Sequence, residues 1–363
     1  MSEFNLKIGA DDIGIVEWNL PDKTLNVLTL KGIEELENIV DELLLTKKVR
    51  GVIITSGKRD FAAGMDLNVL ANLQENTSSQ NNKQIFEFVM RVHKLLRKIE
   101  LGGMEEKTKK NCIPFVWASP GLSAGIGTEI GLACHHRIVA DNKRTKVGLP
   151  EILVGLFPGA GGATRVSRMV GLMASAPILM EGKMFSPKNA KMAGLIDEIA
   201  SSDDLINDAK NWIMNATDEV MIKPWDKKGY KMPGGAPYHP SGFMTFVGAS
   251  AMISSRTKNV YPAAKCLLSA IYEGALTDFD TALRIEARWF TKILTEKSTS
   301  NMIRTLFINK NAIEKGLRRP KKNQKYKFEN IGVVGAGMMG AGIAHSAAQN
   351  GINVTLIDKD LEA

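Results

Sequence analysis

The sequence predicts an α/β fold, a helical spacer and a second, smaller α/β unit. In the first half, strand-like apolar runs alternate with the apolar stripes of amphipathic helices, a pattern typical of crossover α/β folds. From about Pro187 the pattern becomes mainly helical, and a glycine-rich strand–turn–helix–strand pattern closes the chain. We therefore expect domains at residues 1–200, 201–327 and 328–363.

The elements of the first half follow from their apolar periodicity. Strands are predicted at Gly14–Trp18, Val49–Thr55, Ile113–Ala118 and Arg137–Ala140. Helices are predicted at Thr29–Leu45 and Ile85–Ile99, where apolar residues recur with helical spacing. The polar stretch Asn72–Lys83 breaks every periodicity and predicts a loop.

The middle of the chain is predicted to be helical around an extended spacer. Helical patterns cover Pro187–Ala216 and Ala275–Asn311. Between them, Lys223–Gly242 is rich in proline and glycine, which favours turns and extended backbone. The charged stretch Lys315–Lys327 predicts a linker into the glycine-rich unit.

Composition excludes several classes of protein. The net charge of +8 is moderate, and no basic stripe is interleaved with aromatic residues, so no nucleic-acid partner is predicted. Three scattered cysteines and the adjacent His135 and His136 do not indicate a metal site. The N-terminus lacks a signal-peptide pattern and no long apolar run occurs, so we expect a cytoplasmic protein without an integral membrane segment.

The C-terminal unit has the glycine spacing of a dinucleotide-binding fold. The apolar run Ile331–Val334 leads directly into Gly335, Gly337 and Gly340. In such a motif the first glycine permits a tight turn, the second lets the backbone approach a pyrophosphate, and the third lets a helix pack on the strand. The spacing predicts the first βαβ unit of a Rossmann domain, with these glycines in an NAD site.

The residues after the glycines fit the same interpretation. A helix predicted from Met339 to about Ala348 would direct its N-terminal N–H groups at the pyrophosphate. Asp358 ends a second predicted strand, Val354–Ile357, and is placed to bind a ribose, which favours NAD over NADP. Because the sequence stops at Ala363, we expect an incomplete, truncated Rossmann domain and weak or undetectable NAD binding.

Two glutamates lie beside glycine-rich turns in the first half. Glu129 follows the turn Gly121–Thr128 and falls in the first turn of a predicted helix. Glu151 follows Gly148–Pro150, after a strand-like entry. The segment Phe61–Leu67 has small residues that can expose backbone N–H groups. We expect all three segments to contribute to one active site.

These motifs resemble the crotonase (enoyl-CoA hydratase/isomerase) superfamily, over roughly residues 5–200. The later order, Ile285–Lys310 followed by the linker and the glycine-rich unit, resembles the family of α subunits of the bacterial fatty-acid oxidation complex and the mitochondrial trifunctional protein. Such chains join an enoyl-CoA hydratase to an L-3-hydroxyacyl-CoA dehydrogenase. The resemblance implies a crotonase-like ββα spiral domain, and it places the dehydrogenase histidine beyond Ala363, so no dehydrogenase activity is expected.

The resemblance also implies roles for individual residues. Glu129 matches the glutamate that activates water, and Glu151 matches the one that exchanges a proton with the α-carbon. The backbone N–H groups of Met65 and Ile126 match the oxyanion-hole donors for the thioester oxygen. The implied substrate is a trans-2-enoyl-CoA, which contains coenzyme A, and the implied product is a 3-hydroxyacyl-CoA in fatty-acid β-oxidation. A thiolase β subunit and a second copy of this chain are the protein partners that the resemblance suggests.

Two departures from the family pattern keep alternatives open. Ile126 replaces a glycine; a β-branched residue would be strained at positive φ, whereas at negative φ the donor survives and the pocket only narrows. Ala163 replaces a threonine and removes a potential helix cap. The alternatives are a Δ3-Δ2-enoyl-CoA isomerase, which needs one glutamate, and a non-catalytic acyl-CoA-binding or assembly subunit.

Overall fold

The computed structural model describes residues 2–66, 69–70, 79–320 and 327–359. The chain divides into two compact units, Met1–Asn309 and Lys310–Ala363. Of the predicted loop at 72–83, residues 72–78 lie outside the described ranges, as do Leu67 and residues 321–326 of the predicted linker. Residues 79–83 belong to a helix, so the prediction of a loop is wrong there.

A six-stranded sheet, counted over the described residues, forms the centre of the first unit. In spatial order its strands are β1 (Phe4–Ile8), β2 (Ile13–Trp18), β3 (Gly51–Ser56), β4 (Phe115–Ser119), β6 (His136–Ala140) and β9 (Glu198–Ala200). The pair β1–β2 is antiparallel, and every other pair is parallel. Parallel neighbours require crossover connections, which helices provide here.

Helices cover both faces of this sheet. The helices of the first unit are α1 (Leu30–Thr46), α2 (Ser79–Leu101), α3 (Ile126–Ala133), α4 (Gly162–Leu179), α5 (Pro187–Met192), α6 (Leu205–Asn215), α7 (Asp218–Met221), α8 (Pro240–Thr257), α9 (Pro262–Gly274), α10 (Phe279–Leu294) and α11 (Lys297–Met302). Short 3-10 helices lie at Pro150–Val154 and Pro224–Asp226, and a π-helical segment lies at Ile303–Asn309.

Alternating side chains of the central strands divide the core into two layers. Val52 and Ile54 of β3 join the large apolar cluster beneath α1 and α2. Ile53 points to the other face, where it belongs to a cluster with Ala209 and Ile213 of α6. Because both faces are covered, the central strands read as continuous apolar runs, as expected for a parallel sheet.

A second, three-stranded sheet positions the turns that carry the candidate site. It consists of β5 (Ser123–Ala124), β7 (Val147–Gly148) and β8 (Met184–Phe185). Isolated bridges pair Leu28 with Met65 and Ala62 with Ser123. The segment before Met65 therefore lies beside the strand that leads into α3.

The α/β class is confirmed, and the predicted strands of the first half match observed strands to within about two residues at each end. Two strands of the six-stranded sheet are additional: β1, and β9 within a stretch predicted as helical. The short strands β5 and β8 of the second sheet were not predicted either. His135 and His136 lie at the entry to β6 rather than on a helix. The helices of the predicted spacer as far as Asn309 belong to the first compact unit; the functional boundaries at 200 and 327 stay predictions.

The second unit contains the predicted strand–helix–strand pattern. After a short helix, α12 (Lys310–Glu314), come β10 (Asn330–Val334), α13 (Met338–Gln349) and β11 (Asn353–Ile357). The two strands are parallel, and Ile331 pairs with Val354. Across both units, the described helices all fall short of the length or apolarity that a membrane span requires.

Candidate active site

Glu129 is a buried carboxylate held by the start of another helix. It lies in the first turn of α3, and only 2% of its surface is exposed. Its Oε1 accepts hydrogen bonds from the N–H groups of Ala160 and Gly162, both at 2.8 Å. No described residue donates to its Oε2, so this oxygen is available to bind water.

Glu151 approaches from the second sheet. It lies in the 3-10 helix Pro150–Val154, directly after β7, and Leu156 N–H donates to its carbonyl oxygen. Its Oε2 is buried and has no hydrogen-bond partner among the described residues. Its Oε1 faces Gly125, the N-cap residue of α3, where an added Cβ would lie 3.0 Å away. The structure thus brings Glu151 to the entry of the helix that carries Glu129.

The two carboxyl groups influence each other electrostatically. Burial, followed by the negative charges of Glu151 and Glu286, raises the pKa of Glu129 well above its usual range, against the opposing effect of the two N–H donors. Burial raises the pKa of Glu151 to about 7, with a further contribution from Glu286. Two acids that repel each other in a desolvated site ionise in separate steps, so one can hold a proton while the other is charged. One can therefore act as an acid while the other acts as a base.

Two backbone N–H groups lie beside this pair without an acceptor among the described residues. Met65 and Ile126 each follow a glycine with positive φ, 115° at Gly64 and 57° at Gly125. The two glycines are adjacent in space, because a Cβ on Gly125 would lie 3.6 Å from Cα of Gly64. Backbone with positive φ favours glycine, which has no Cβ to strain. The predicted oxyanion-hole donors therefore lie on neighbouring backbone segments.

The structure resolves the question raised by Ile126. Positive φ occurs at Gly125, whereas Ile126 is the first residue of α3 and has no positive φ. A β-branched side chain is unstrained there, and its N–H is one of those that a helix start leaves unpaired. The Ile126 side chain is buried in the apolar core, and its backbone N–H remains without an acceptor among the described residues.

A third carboxylate at this site, Glu286 of α10, was not predicted from the sequence. It is fully buried and accepts hydrogen bonds from Gly161 and Thr164 at the start of α4. It thereby supplies the cap that Ala163 had seemed to remove. One sequence signal could have found it: Glu286 lies on the apolar stripe of α10 between Leu283 and Phe290, where a charge without a partner would be costly.

The second unit shows the packing that its glycines predicted. Gly335 has a φ of 101°, and a Cβ on Gly340 would collide with the carbonyl oxygen of Gly335. A Cβ on Gly337 would meet no protein atom within 4 Å, which leaves room for a ligand at the start of α13. Asp358 accepts a hydrogen bond from Ala336 N–H, which, with Lys359 N–H, lowers the pKa of the Asp358 carboxyl.

Met339 lies in the first turn of this helix, with its side chain exposed. The residues fit a dinucleotide phosphate at the helix start, because three features coincide there: close packing at one glycine, open space at another and unpaired N–H groups. Within the described ranges, no group of three or more His, Cys, Asp or Glu side chains is arranged to hold a metal ion.

Sequence comparison defines the class of protein to which this fold and site belong. A family model described as enoyl-CoA hydratase/isomerase matches residues 11–222, and a second, described as 3-hydroxyacyl-CoA dehydrogenase, NAD binding domain, matches residues 330–363. Because the first match covers more than half of the chain, the chain belongs to the enoyl-CoA hydratase/isomerase family.

Among curated relatives, the chain is similar to the fatty acid oxidation complex subunit alpha of Shewanella sp. strains MR-4 and MR-7. The identity is 28% over 347 residues in both cases, covering 94% of this chain and 45% of the relative. The chain thus spans about half the length of the curated relatives it matches.

Solved structures share the fold. Human mitochondrial delta3-delta2-enoyl-CoA isomerase matches with a TM-score of 0.57 and 18% identity, covering 87% of this chain and all of the isomerase chain. An enoyl-CoA hydratase from Bacillus halodurans matches with a TM-score of 0.56 and 19% identity, covering 84% of this chain and 99% of the other. At these identities the similarity establishes the fold alone.

Proposed function

We propose that this chain hydrates trans-2-enoyl-CoA thioesters to 3-hydroxyacyl-CoA. The observation that carries the proposal is the proximity of two electrostatically coupled acids, the buried Glu129 and the half-buried Glu151 with its buried Oε2, to the unpaired N–H groups of Met65 and Ile126. Membership of the enoyl-CoA hydratase/isomerase family supports this chemistry.

The contacts of each acid suggest which one carries the proton. Burial and the charges of Glu151 and Glu286 raise the pKa of Glu129, but the contribution of Glu151 acts only while Glu151 is ionised. Once Glu151 holds the proton, the two N–H donors on Oε1 of Glu129 stabilise its charged form, and they leave Oε2 free to accept a proton from water. The unpaired, buried Oε2 of Glu151 suits a protonated carboxyl. We therefore assign Glu129 as the base and Glu151 as the acid in the hydration direction.

In the proposed reaction, water adds across the C2–C3 double bond in one step. The water oxygen forms a bond to C3 of the enoyl thioester while its proton passes to Glu129. The proton of Glu151 passes to C2, and the C2–C3 double bond becomes a single bond. The N–H groups of Met65 and Ile126 donate to the thioester oxygen, where negative charge accumulates in the transition state. Proton exchange with solvent then restores the starting pair.

Loss of the conjugated absorbance of crotonyl-CoA, and of longer enoyl-CoA esters, tests this proposal. Each change, Glu129→Gln and Glu151→Gln, should lower kcat by about 10²–10⁴-fold, because each removes a proton-transfer group. Glu181→Gln is the matched control, since that side chain lies at the surface beside Arg256. Full activity of either site variant would contradict the assignment.

The same variants separate the alternatives. An isomerase would convert a 3-enoyl-CoA to the conjugated 2-enoyl-CoA, and it would need only one of the two glutamates. A non-catalytic subunit would bind CoA esters without any turnover. Loss of hydration in both single variants, with retained binding of a CoA ester, would favour the hydratase over both.

We further propose that the second unit contributes part of an NAD site. Gly335, Gly337, Met339 and Gly340 would hold the pyrophosphate at the start of α13, and Asp358 would bind a ribose. NAD accepts a hydride when bound in a dehydrogenase. Calorimetry with NAD tests the site: any measurable affinity should be lost in Gly337→Val, whose side chain would fill the open space at that glycine.

We also propose protein partners and a cellular location for this chain. The relatives are named as subunits of a complex, which supports testing this chain for association with a thiolase β subunit and with itself. Light scattering of the purified chain alone measures its self-association, and light scattering of its mixture with the candidate subunit measures their association. A cytoplasmic location stays a prediction that fractionation of the source cells would test.

A further inference from the structure

One backbone turn of the first unit is held between two buried carboxylates. The N–H groups of Ala160 and Gly162 donate to Oε1 of Glu129, at 2.8 Å each. Gly161 lies between these two residues, and its N–H group donates to Oε1 of Glu286 at 2.6 Å. Thr164 follows them, and its N–H group donates to Oε2 of Glu286 at 2.8 Å. These donors therefore divide between the proposed base and an acid from a distant helix.

Glu286 is fixed firmly enough to define this turn. It is fully buried, and besides the two N–H groups it accepts a hydrogen bond from Oγ1 of Thr164 at 2.7 Å. A buried carboxylate needs such donors to offset the loss of water. Gly161, the N-cap residue of α4, offers no side-chain cap, so Glu286 supplies the cap from α10.

Other contacts of α10 and α2 hold the same turn. A Cβ on Gly159 would collide with the ring of Phe290, one helical turn beyond Glu286, and a Cβ on Gly161 would lie 3.1 Å from Cδ2 of Leu283. Nε2 of His93 lies 2.7 Å from the carbonyl oxygen of Gly159 and 3.5 Å from Oε1 of Glu286. The turn is therefore closely packed against both helices.

We propose that Glu286 is a positioning residue, which fixes the Gly159–Thr164 turn so that Ala160 and Gly162 hold Glu129 in place to bind water. This inference rests on the proposed hydratase function and adds a contribution from a segment that lies beyond the match to the hydratase family. Glu286 does not touch the substrate in this account; it acts through the backbone of the turn.

Titratable and charged groups face Glu286 from several helices. His93 lies beside it on α2, and Arg165 of α4 donates to the Ala160 carbonyl and pairs with Glu100. The negative charge of Glu286 contributes to the raised pKa values of Glu129 on α3 and of Glu151. On α9, the charged side chain that contacts α10 is Glu273, which bonds to Arg288 and Trp289 instead.

The test compares Glu286→Gln with Asp280→Asn, which removes one negative charge from an exposed position of the same helix. In folded protein, Glu286→Gln should lower kcat for crotonyl-CoA hydration by about 100-fold, because a displaced base loses its alignment with water. KM should change little, since no proposed substrate contact is altered. Asp280→Asn should match the wild type.

A pH profile separates positioning from simple stabilisation of α4. Loss of the Glu286 charge should shift the pH dependence of kcat/KM towards lower pH, since that charge raises the pKa of both site acids. If Glu286→Gln does not fold, Glu286→Asp and Thr164→Val decide the question by the same fall in kcat at constant KM.

The outcomes for the two proposals are distinct. An inactive wild-type chain that still binds CoA esters would defeat the hydratase function itself. An active wild type with folded Glu286 variants of unchanged kcat and pH profile would overturn only the positioning inference.

Discussion

The Oε1 atom of Glu151 lies against Gly125, close enough that a Cβ on this glycine would be 3.0 Å away. Gly125 has φ 57° and ψ −127°, a backbone conformation that residues other than glycine rarely adopt. The same residue precedes the Ile126 N–H and accepts the hydrogen bond of Glu129 N–H on its carbonyl oxygen. One glycine thus joins the proposed acid, the proposed base and one oxyanion-hole donor.

The change Gly125→Ala is therefore expected to lower hydration sharply. The methyl group would strain the turn and displace both the Glu151 carboxyl and the Ile126 N–H. Loss of one oxyanion-hole donor alone costs about 10²–10³-fold in rate. The measurement is kcat/KM for crotonyl-CoA.

The control for this change is Gly229→Ala. Gly229 also has positive φ, 81°, but a Cβ there would meet no atom within 4 Å. The Gly229→Ala variant should lose a little stability, because its backbone is strained, but its kcat/KM should be unchanged. Equal effects of the two substitutions would show that the turn at Gly125 contributes nothing specific to the reaction.

The pH dependence of hydration follows from the raised pKa of Glu151. The proposed acid must carry its proton, and its pKa in the free enzyme is about 7. The value of kcat/KM should therefore fall about tenfold per pH unit above this pKa. Binding of butyryl-CoA, measured over the same range, controls for changes in affinity. A flat profile up to about pH 9 would rule out Glu151 as the acid.

Local sequence patterns predicted the elements of this molecule better than its long-range contacts. The strand β3 and the helix α1 follow from β-branched runs and apolar stripes, and Thr29 accepts from Gly32 N–H at the helix start. The strand β1 was not predicted, although its five residues alternate between apolar and polar. The alternation is short, three of the five residues are exposed, and pairing with β2 stabilises the strand.

In the candidate site too, local patterns were predictable from the sequence and long-range contacts were not. Glu129 and Glu151 were found from glycine-rich turns close to them in sequence. Glu286 could not be assigned in this way, since its partners Gly161 and Thr164 lie far away in the chain and only folding brings them together. Helical spacing showed that Glu286 belongs to a buried stripe, but it could not show which donors satisfy the carboxylate.

A buried ion pair behind the turn yields a prediction about stability. Arg165 and Glu100 are both fully buried, and Nε of Arg165 donates to Oε1 of Glu100 at 2.9 Å. Breaking a buried pair typically costs about 3–5 kcal/mol. Because Arg97 also donates to Glu100, at 2.8 Å, we expect a loss at the lower end of this range. Arg165→Met should therefore lower the free energy of unfolding by roughly this amount in urea denaturation.

The exposed pair of Arg256 with Glu181 provides the comparison for Arg165. Arg256→Met should change the free energy of unfolding by less than about 1 kcal/mol, because surface ion pairs contribute little. Similar losses in the two variants would mean that burial does not set the strength of these pairs.

The same burial that tunes Glu151 for catalysis should make it a source of instability at high pH. Its folded pKa, about 7, is above the ordinary value of 4.5, so the folded state binds the proton more tightly and loses stability as pH rises between these values. Glu151→Gln removes the cost of burying the charge. The free energy of unfolding of the variant should exceed that of the wild type by roughly 1–3 kcal/mol at about pH 8, and the two should be equal near pH 4.5. Urea denaturation at both pH values measures this, with the exposed Glu181→Gln expected to show no comparable pH-dependent gain. A Glu151→Gln protein no more stable than the wild type at the higher pH would mean that Glu151 is not held in a desolvated site.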